Sequence, residues 1–555
     1  MACFWEPWFW HWDTSCLWIG SIILLLKTLI QIWHPVSNFT SRLKQSSFWR
    51  ITILLPALLL TCSCKTLGPD FEEPEVHWLN SWQPTVWPIS STTSPAQESL
   101  QSWWTCFDDP VLDSLIEEAL RENHTLQSGG LRVLESRAIQ ELAGSSLYPQ
   151  IQQITTSVDG VSSKQEGSSS SDQVFSQFQG VLGWELDFWG RFERAVESAD
   201  ANYFASVAQQ RDLQVLIAVQ MAQVYFSYRV TEARIAITLN NAEIQKRSFD
   251  ITNERFAEGE ESELDFQQAR TQYLATLSVV PQLELILRNT RNAICILLGR
   301  PPGEVPEISG DGYRLASVKP VIPMMVPSKH LAHRPDVRNA AWNVAAQSAQ
   351  IGIAEADYYP ALSLLGSLSW SKSSLAGIPD SSGITVGPSL RWNIFDHGAI
   401  ASNIKIQNAR LQLLLENFQR TVMEAAKEVD NSAVEVVKTS EQQEYIDQSV
   451  EAARRALEIA DIRFREGLID FQRVLSAQRA LFTQVERQVL NRGNHLKSVA
   501  SLYGSMGGGW RPMDLNEMIS ADTWETLNER TDWTDVFNSK PAGGSKDQGE
   551  ALTDE

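Results

Sequence analysis

Residues 384–394 read I-T-V-G-P-S-L-R-W-N-I, and their character changes at every second position. Ile384, Val386, Pro388, Leu390, Trp392 and Ile394 fall on one side of an extended chain, and Thr385, Gly387, Ser389, Arg391 and Asn393 fall on the other. Successive side chains of a strand point to opposite faces, so the segment predicts a strand with one apolar and one wet face. A strand of that length and alternation has the out/in pattern of a transmembrane β-barrel. Proline cannot donate to the ladder, which confines Pro388 to an edge or a bulge.

The same design occurs earlier. Val174, Phe178, Leu182, Trp184, Leu186 and Phe188 alternate with Gln177, Gln179, Gly183, Glu185 and Asp187. Both strands stop at a glycine: residues 184–190 read W-E-L-D-F-W-G and residues 392–398 read W-N-I-F-D-H-G, 208 positions on. Arg255-Phe256-Ala257-Glu258-Gly259 is echoed at the same spacing of 208 by Arg463-Phe464-Arg465-Glu466-Gly467. Leu147-Tyr148-Pro149 is answered by Tyr358-Tyr359-Pro360, a few residues off that register. One long unit has been duplicated, which is not the short period of a solenoid.

Length alone, 555 residues, suggests three or four domains, but the duplication argues for two halves of one architecture. A formal charge of -21 argues against nucleic acid as a partner, since phosphate binding needs clustered Lys and Arg. The six cysteines are scattered and carry neither a disulfide framework nor zinc spacing. P-loop, H-E-x-x-H, G-x-S-x-G and G-x-G-x-x-G patterns are absent from the sequence. No cofactor and no enzymatic activity is expected.

Residues 111 to 146 are helical in pattern and end before Pro149, which cannot continue a helix. Strands are expected at 151–161 and 174–188, joined by the Ser/Gly-rich loop from Ser163 to Gln173. Residues 191 to 250 contain no Pro or Gly; as one helix they would span roughly 90 Å. A second long helix follows Gly259. The second half repeats the order, with a helix to Asp357, strands at 361–371 and 383–395, and a helix from Ile400 to about Glu466. That helix carries a heptad seam of Leu411, Leu415, Phe418, Val422, Ala425, Val429, Ser432 and Val436, which requires a partner helix. Two strands per half make four per chain, whereas outer-membrane barrels close with about eight or more. Open edges in lipid leave N–H and C=O groups unpaired, so copies must share a barrel.

Residues 1 to 41 crowd Trp5, Trp8, Trp10, Trp12, Trp18 and Trp33 into one segment. Its apolar part is near the length of a membrane helix. A translated upstream sequence, with the start near Ser41 to Leu43, is the favoured reading because a complete signal peptide follows. Arg42, Lys44 and Arg50 form its basic region, Ile51 to Leu60 its apolar core and Thr61-Cys62-Ser63-Cys64 its small-residue cleavage site. A cysteine directly after such a core resembles the lipobox of bacterial lipoproteins, which implies acylation of Cys64, with Cys62 as the alternative.

Gly68-Pro69-Asp70-Phe71-Glu72-Glu73-Pro74 resembles the G-P-D-Y-x-x-P opening of the TolC/OprM-type outer-membrane efflux lipoproteins, the outer membrane factors of tripartite export pumps. Trp103-Trp104 with Phe107, Pro110, Leu112, Leu115 and Asn123 is similar to the next landmark of that family. So are Leu298-Gly299-Arg300-Pro301-Pro302, His333-Arg334-Pro335-Asp336-Val337 and Gly507-Gly508-Gly509-Trp510. The resemblance spans about residues 60 to 512. It implies an α+β membrane protein whose homotrimer forms a 12-stranded β-barrel continued by a periplasmic α-helical tunnel. The implied function is that of a passive exit duct for drugs or other small molecules. The implied partners are a periplasmic membrane-fusion adaptor, an inner-membrane transporter and outer-membrane lipid. A duct for type I protein secretion and a non-conducting coiled-coil scaffold are the alternatives.

The expected parts are an upstream segment and signal over 1–63 (41–63 the signal) and a lipid-anchored segment over 64–110. Repeats over 111–305 and 325–510 follow, then an acidic extension over 511–555. In the family, turns such as Glu258-Gly259-Glu260-Glu261 and Glu466-Gly467 form the periplasmic tip that meets the adaptor; as residues alone they read equally as solvated hairpin turns. Asp265 maps onto an acid that helps hold the tip closed. The second half departs, with Arg473 and Ser476 where some relatives place acids, leaving Asp470 as the nearby carboxylate. Symmetric copies of Asp470 would form a cation-attracting ring; a solvated helix carboxylate is the plainer reading. The tail after Trp510 holds four basic and eleven acidic side chains and is expected to be a flexible extension without an assigned role.

Overall fold

Two helices of 67 residues and two of 35 dominate the molecule, one of each in either half. The computed structural model describes residues 66–82, 84–86, 100–163, 171–308, 331–373 and 380–533. Cys62, Cys64, the upstream segment, the tip of the Ser163–Gln173 loop and the tail glycines Gly543, Gly544 and Gly549 lie outside these residues. The first half comprises α1 (Pro110–Glu122), α2 (His124–Ser145), β1 (Ile151–Ser163), β2 (Ser171–Leu186), α3 (Arg191–Ala257) and α4 (Glu263–Leu297). The second comprises α5 (Pro335–Ala356), β3 (Ala361–Ser373), β4 (Ser381–Arg391), α6 (Ala399–Arg465) and α7 (Phe471–Ser505), followed by α8 (Ala521–Arg530). At 1.5 Å per residue, α3 and α6 are each about 100 Å long.

Three expectations are corrected. The helix expected over 111–146 is two helices, because Asn123 leaves the helical region (φ -65°, ψ 122°) and caps α2. Its Oδ1 accepts from the backbone N–H of Thr125 at 2.8 Å, and its Nδ2 donates to the carbonyl of Leu297 at 2.9 Å. The alternation of residues 384–394 outlasts its strand, which ends at Arg391. There the Trp392 indole donates to the carbonyl of Tyr358 at 3.0 Å, and Asp396 accepts from the N–H of Ile400 at 2.7 Å to open α6. The tail is not free throughout: Met518, Ile519, Trp524, Leu527 and Trp533 pack against Val133, Leu134, Tyr203 and Val207.

The four strands form one antiparallel sheet in the order β1-β2-β3-β4. Below it the helices keep the same order, α2 packing on α3, α3 on α5 and α5 on α6. Further from the sheet, α4 lies on α3, α3 on α7 and α7 on α6. The heptad seam finds its partner in the same chain: Phe418, Val422, Ala425 and Val429 bury against Leu331, Val337, Ala341 and Val344 of and beside α5.

The largest core lies midway along the long helices, where Trp103, Phe107, Leu112, Ile116, Tyr225, Phe226, Ile294 and Leu502 are buried together. Trp103 stacks on Tyr503 with ring centroids 5.6 Å apart. Gly509 donates to the carbonyl of Leu100 at 2.9 Å, and a Cβ there would sit 2.8 Å from the Trp103 indole nitrogen. Two sequence landmarks 400 residues apart are thus two sides of one contact.

Buried arginines hold the segments between repeats. Arg194 donates to the carbonyls of Leu67 and Gly68 and pairs with Asp70 at 2.7 Å, pinning the start of the described chain to α3. Arg334 caps α5, pairing with Asp336 and Glu428 at 2.8 Å and donating to the carbonyl of Ser505 at 2.6 Å. Beside this cluster, burial pushes the Asp212 carboxyl up to about 6; Asp336 and Glu428 add to the shift and Arg334 opposes it. The folded chain therefore retains a proton that the unfolded chain, at the ordinary 3.8, has released. Stability falls as pH rises between those values, and the penalty is complete above them. Asp212→Asn is expected to raise stability by up to about 3 kcal/mol at neutral pH and to change it little below about pH 4. Thermal unfolding in detergent at the two pH values measures the difference.

Candidate functional site

The ladder makes the even-numbered residues of all four strands one continuous surface. Ile154 opposes Gly180, Gly180 opposes Leu368 and Leu368 opposes Ile384; Leu182 opposes Gly366, which opposes Val386. This face carries Ile154, Val158, Phe178, Leu182, Leu368, Trp370, Ile384 and Val386, and the last two are 78% and 72% exposed. The odd face carries Gln153, Thr155, Ser157, Gln177, Gln179, Ser367, Ser369 and Thr385, with Ile151, Val161, Phe175, Val181 and Leu365 as apolar exceptions. Among the described residues no helix is long and apolar enough to cross a membrane. Pro388 lies in β4, an edge strand of this sheet.

Tryptophans mark both ends of the apolar face. Trp370 opposes Ser382, ten positions before Trp392, which is about 33 Å along the strand and about 25 Å along the axis of a barrel with strands tilted ~40°. That matches the height of a lipid-facing band. The helix end is clamped twice in the same way: the Trp184 indole donates to the carbonyl of Leu147 at 3.3 Å, as Trp392 does to Tyr358. Trp189 adds a bond to the carbonyl of Pro360 at 3.0 Å and stacks on Tyr359. On the polar face beside them, Arg191 pairs with Asp357 at 3.5 Å and Arg391 with Glu185 at 3.8 Å.

At the far end, both helical hairpins close identically. Gly259 (φ +77°) and Gly467 (φ +74°) follow the caps Glu258 and Glu466. The N–H of Glu260 bonds to the carbonyl of Arg255, and that of Leu468 to the carbonyl of Arg463, both at 2.9 Å. This is the Schellman closure, in which a left-handed residue turns the chain and satisfies the orphan carbonyls. The two turns lie at the same end, because Phe249 and Ala269 of the first hairpin share a cluster with Phe464, Phe471 and Val474 of the second.

The predicted constriction residues divide by local role. Ser262 caps α4, accepting from the N–H of Asp265 at 3.2 Å, and its hydroxyl donates to the Asp265 carboxylate. The equivalent pair in the second hairpin is Asp470 and Arg473: Asp470 is the cap residue of α7 without a side-chain cap bond, and Arg473 donates from its backbone to the Asp470 carbonyl at 3.1 Å. Asp470, Arg473 and Ser476 are exposed. Sequence reasoning missed a pair that joins α4 to α7 across the two hairpins, Arg479 of α7 donating to Gln272 Oε1 of α4 at 2.6 Å. Neither residue stands out by type or spacing.

An amphipathic sheet at one end of a four-helix layer and two glycine-closed tips at the other describe a wall. The sequence matches the family described as outer membrane efflux protein over residues 115–300 and 326–508. The chain belongs to that family. It is 28% identical over 467 residues to the pyoverdine export outer membrane protein OpmQ of Pseudomonas putida, covering 82% of this chain and 97% of that one. The cation efflux system protein CusC of Escherichia coli is 29% identical over 478 residues, covering 82% and 99%. Among solved structures, the outer-membrane channel OprN is similar with a TM-score of 0.71 at 30% identity, covering 81% of this chain and all of that one. This efflux protein is therefore an outer-membrane channel.

A Cβ at Gly259 or Gly467 would meet no atom within 4 Å, so substitution there tests the backbone alone. Gly259→Ala and Gly467→Ala should each cost about 1 kcal/mol locally. Amide exchange at the tip turns should then quicken about fivefold, while the core around Trp103 is unchanged. Equal quickening in both regions would mean that the tips do not open independently.

Proposed function

We propose that three copies of this efflux protein close a twelve-stranded barrel continued by a helical tunnel, with residues 111–305 and 325–510 as the two repeats. Small molecules delivered by an inner-membrane transporter would leave the cell through it. The observation that carries this reading is the four-stranded amphipathic sheet with free edges at β1 and β4. Four strands are too few to close, and an edge in hydrocarbon leaves its peptide groups without partners. A β1 edge meeting the β4 edge of the next copy satisfies both. The turns at Glu258, Gly259, Glu260, Glu466 and Gly467 then point together into the periplasm and form the surface that a periplasmic adaptor grips. Relatives are named for pyoverdine and for cations, and the Ser, Thr and Gln of the polar face favour no single cargo.

Current through a planar bilayer tests the channel. The purified oligomer should conduct, and an assembled but silent oligomer would return the protein to a scaffold role. Asp265→Ala should widen the closed tip and raise conductance or antibiotic leakage. Ser262→Ala removes the hydroxyl that donates to the Asp265 carboxylate while keeping the carboxylate, so equal leakage from both would reduce Asp265 to a partner of that local bond. Asp470→Ala should instead weaken cation selectivity, because symmetric copies concentrate that charge at the aperture.

Delivery to the outer membrane is assigned to acylation at Cys64. Mass spectrometry of the mature protein should find a lipid-modified Cys64 as its first residue. A modified Cys62 would move the cleavage site by two residues, and an intact 1–41 segment would end the lipoprotein reading.

A further inference from the structure

A partly buried carboxyl faces a cavity on the polar side of the helix layer. The cavity, of about 390 Å³, lies between α3, α5 and α6 and is lined by Gln209, Asp212, Asn339, Asn343, Asn417 and Thr421. That volume is in the range of small-molecule sites. Its side of the layer follows from α3. Arg191 pairs with Asp357 on the polar face. Gln209 comes 18 positions later, about five turns of helix and so in line with Arg191. The chain before the repeats runs along the other side: Thr66 donates to Glu193 at 3.0 Å, and Glu193 points about 200° away from Arg191.

The hydrogen bonds around the cavity decide what it can hold. A carbonyl only accepts, so Asn339 gives its Nδ2 to the Ala205 carbonyl at 2.7 Å. Asn339 Oδ1 then takes the Nδ2 of Asn343 at 3.1 Å, which leaves Asn343 Oδ1 as an acceptor. Thr421 spends its proton on the Asn417 carbonyl at 3.0 Å, so its oxygen too is left to accept. Asp212 adds two carboxylate oxygens that receive no hydrogen bond or ion pair among the described residues. Arg334 acts on it only from a distance, being bonded to Asp336, Glu428 and the Ser505 carbonyl. Arg420, at the rim, is paired with Glu424 at 3.2 Å. The wall therefore offers acceptors in excess, among them a carboxyl whose burial costs the fold stability at neutral pH. An unpaired charge kept in a cleft at such a cost marks a site for a ligand.

We infer that this cavity binds a hydroxylated primary amine, of which an amino sugar is the simplest case, on the wall of the duct. The ammonium, with three donors and no acceptor, meets the Asp212 carboxylate. The hydroxyls donate to Asn343 Oδ1 and Thr421 Oγ and accept from the amides of Gln209 and Asn417. A neutral sugar leaves the carboxylate unpaired. A calcium ion needs about six or more oxygen ligands and finds one uncommitted carboxylate here. The placement in the duct rests on the channel proposed above, whereas the site itself rests on the cavity.

Thermal unfolding of the full-length protein in detergent tests the site, with glucosamine as the probe. Glucosamine should raise the unfolding temperature of the parent. N-acetylglucosamine, the same ring without the charge, should not, and ethylammonium, the charge without the hydroxyls, should raise it less. Asp212→Asn, expected above to be the more stable protein, should lose the response. Asn343→Ala with Thr421→Val should weaken the apparent affinity for glucosamine about tenfold. No shift by glucosamine, an equal shift by N-acetylglucosamine or a response that survives Asp212→Asn overturns the site. Equal shifts by glucosamine and ethylammonium overturn the part given to the hydroxyls. In a planar bilayer, glucosamine should reduce the current of the parent and not that of Asp212→Asn. A thermal response without that effect overturns the placement in the duct while the site stands. An assembled oligomer that carries no current overturns the channel reading and leaves the thermal result to decide the site.

Discussion

Peptide groups at the edge of a sheet need partners, and hydrocarbon supplies none. In the channel proposed here the requirement falls on β1 and β4, the two edge strands, while the middle of the even-numbered face between them carries Ile154, Phe178, Leu182, Leu368, Ile384 and Val386. The rest of the architecture follows that sheet. Each strand pair passes into a long helix through a glycine with positive φ, Gly190 or Gly398, and each junction is held by a tryptophan bonded to the backbone of the preceding helix end. Short, stiff junctions leave the helices no freedom to reorder, so the layer below repeats the strand order above.

Stability is distributed unevenly along the 100 Å of the helices. Midway, Trp103, Tyr225, Phe226 and Tyr503 form a dense core that also gathers the segments before, between and after the repeats. At the tips the buried set shrinks to Ala269, Phe471, Val474 and Leu475, with ring stacking between Phe256 and Phe266 and the Arg479–Gln272 bond. Local opening is easiest where the fewest apolar side chains are buried. The molecule thus has a densely packed middle and a tip held by a smaller apolar cluster with a few polar bonds beside it.

The two halves kept their backbone and lost their chemistry in different amounts. Helix lengths, glycine turns and the tryptophan clamps are the same in both, because each is a condition for the wall to form. The first turns of α4 and α7 are not: Ser262 and Asp265 stand where Asp470 and Arg473 stand in the second copy. A helix start tolerates either set: Ser262 caps α4 with its hydroxyl, while Asp470 holds the cap position of α7 without a side-chain bond. What differs is the charge presented at the tip.

The sequence by itself determined the duplication, the strand alternation, the long helices and the glycine turns, since each is written in neighbouring residues through a period of two, a period near 3.6 or an absence of breakers. It also determined that one chain is an incomplete wall, by strand count. Only the tertiary structure decided what depends on distant partners. Asn123 breaks a periodic helix because its amide reaches Leu297. Gly509 is required by Trp103, four hundred residues earlier. The acidic tail reads as solvent-exposed in composition, yet Met518, Trp524 and Trp533 find Val133 and Tyr203 to cover. Arg479 reached Gln272 only because two hairpins were brought side by side, and no local pattern announces a contact of that kind.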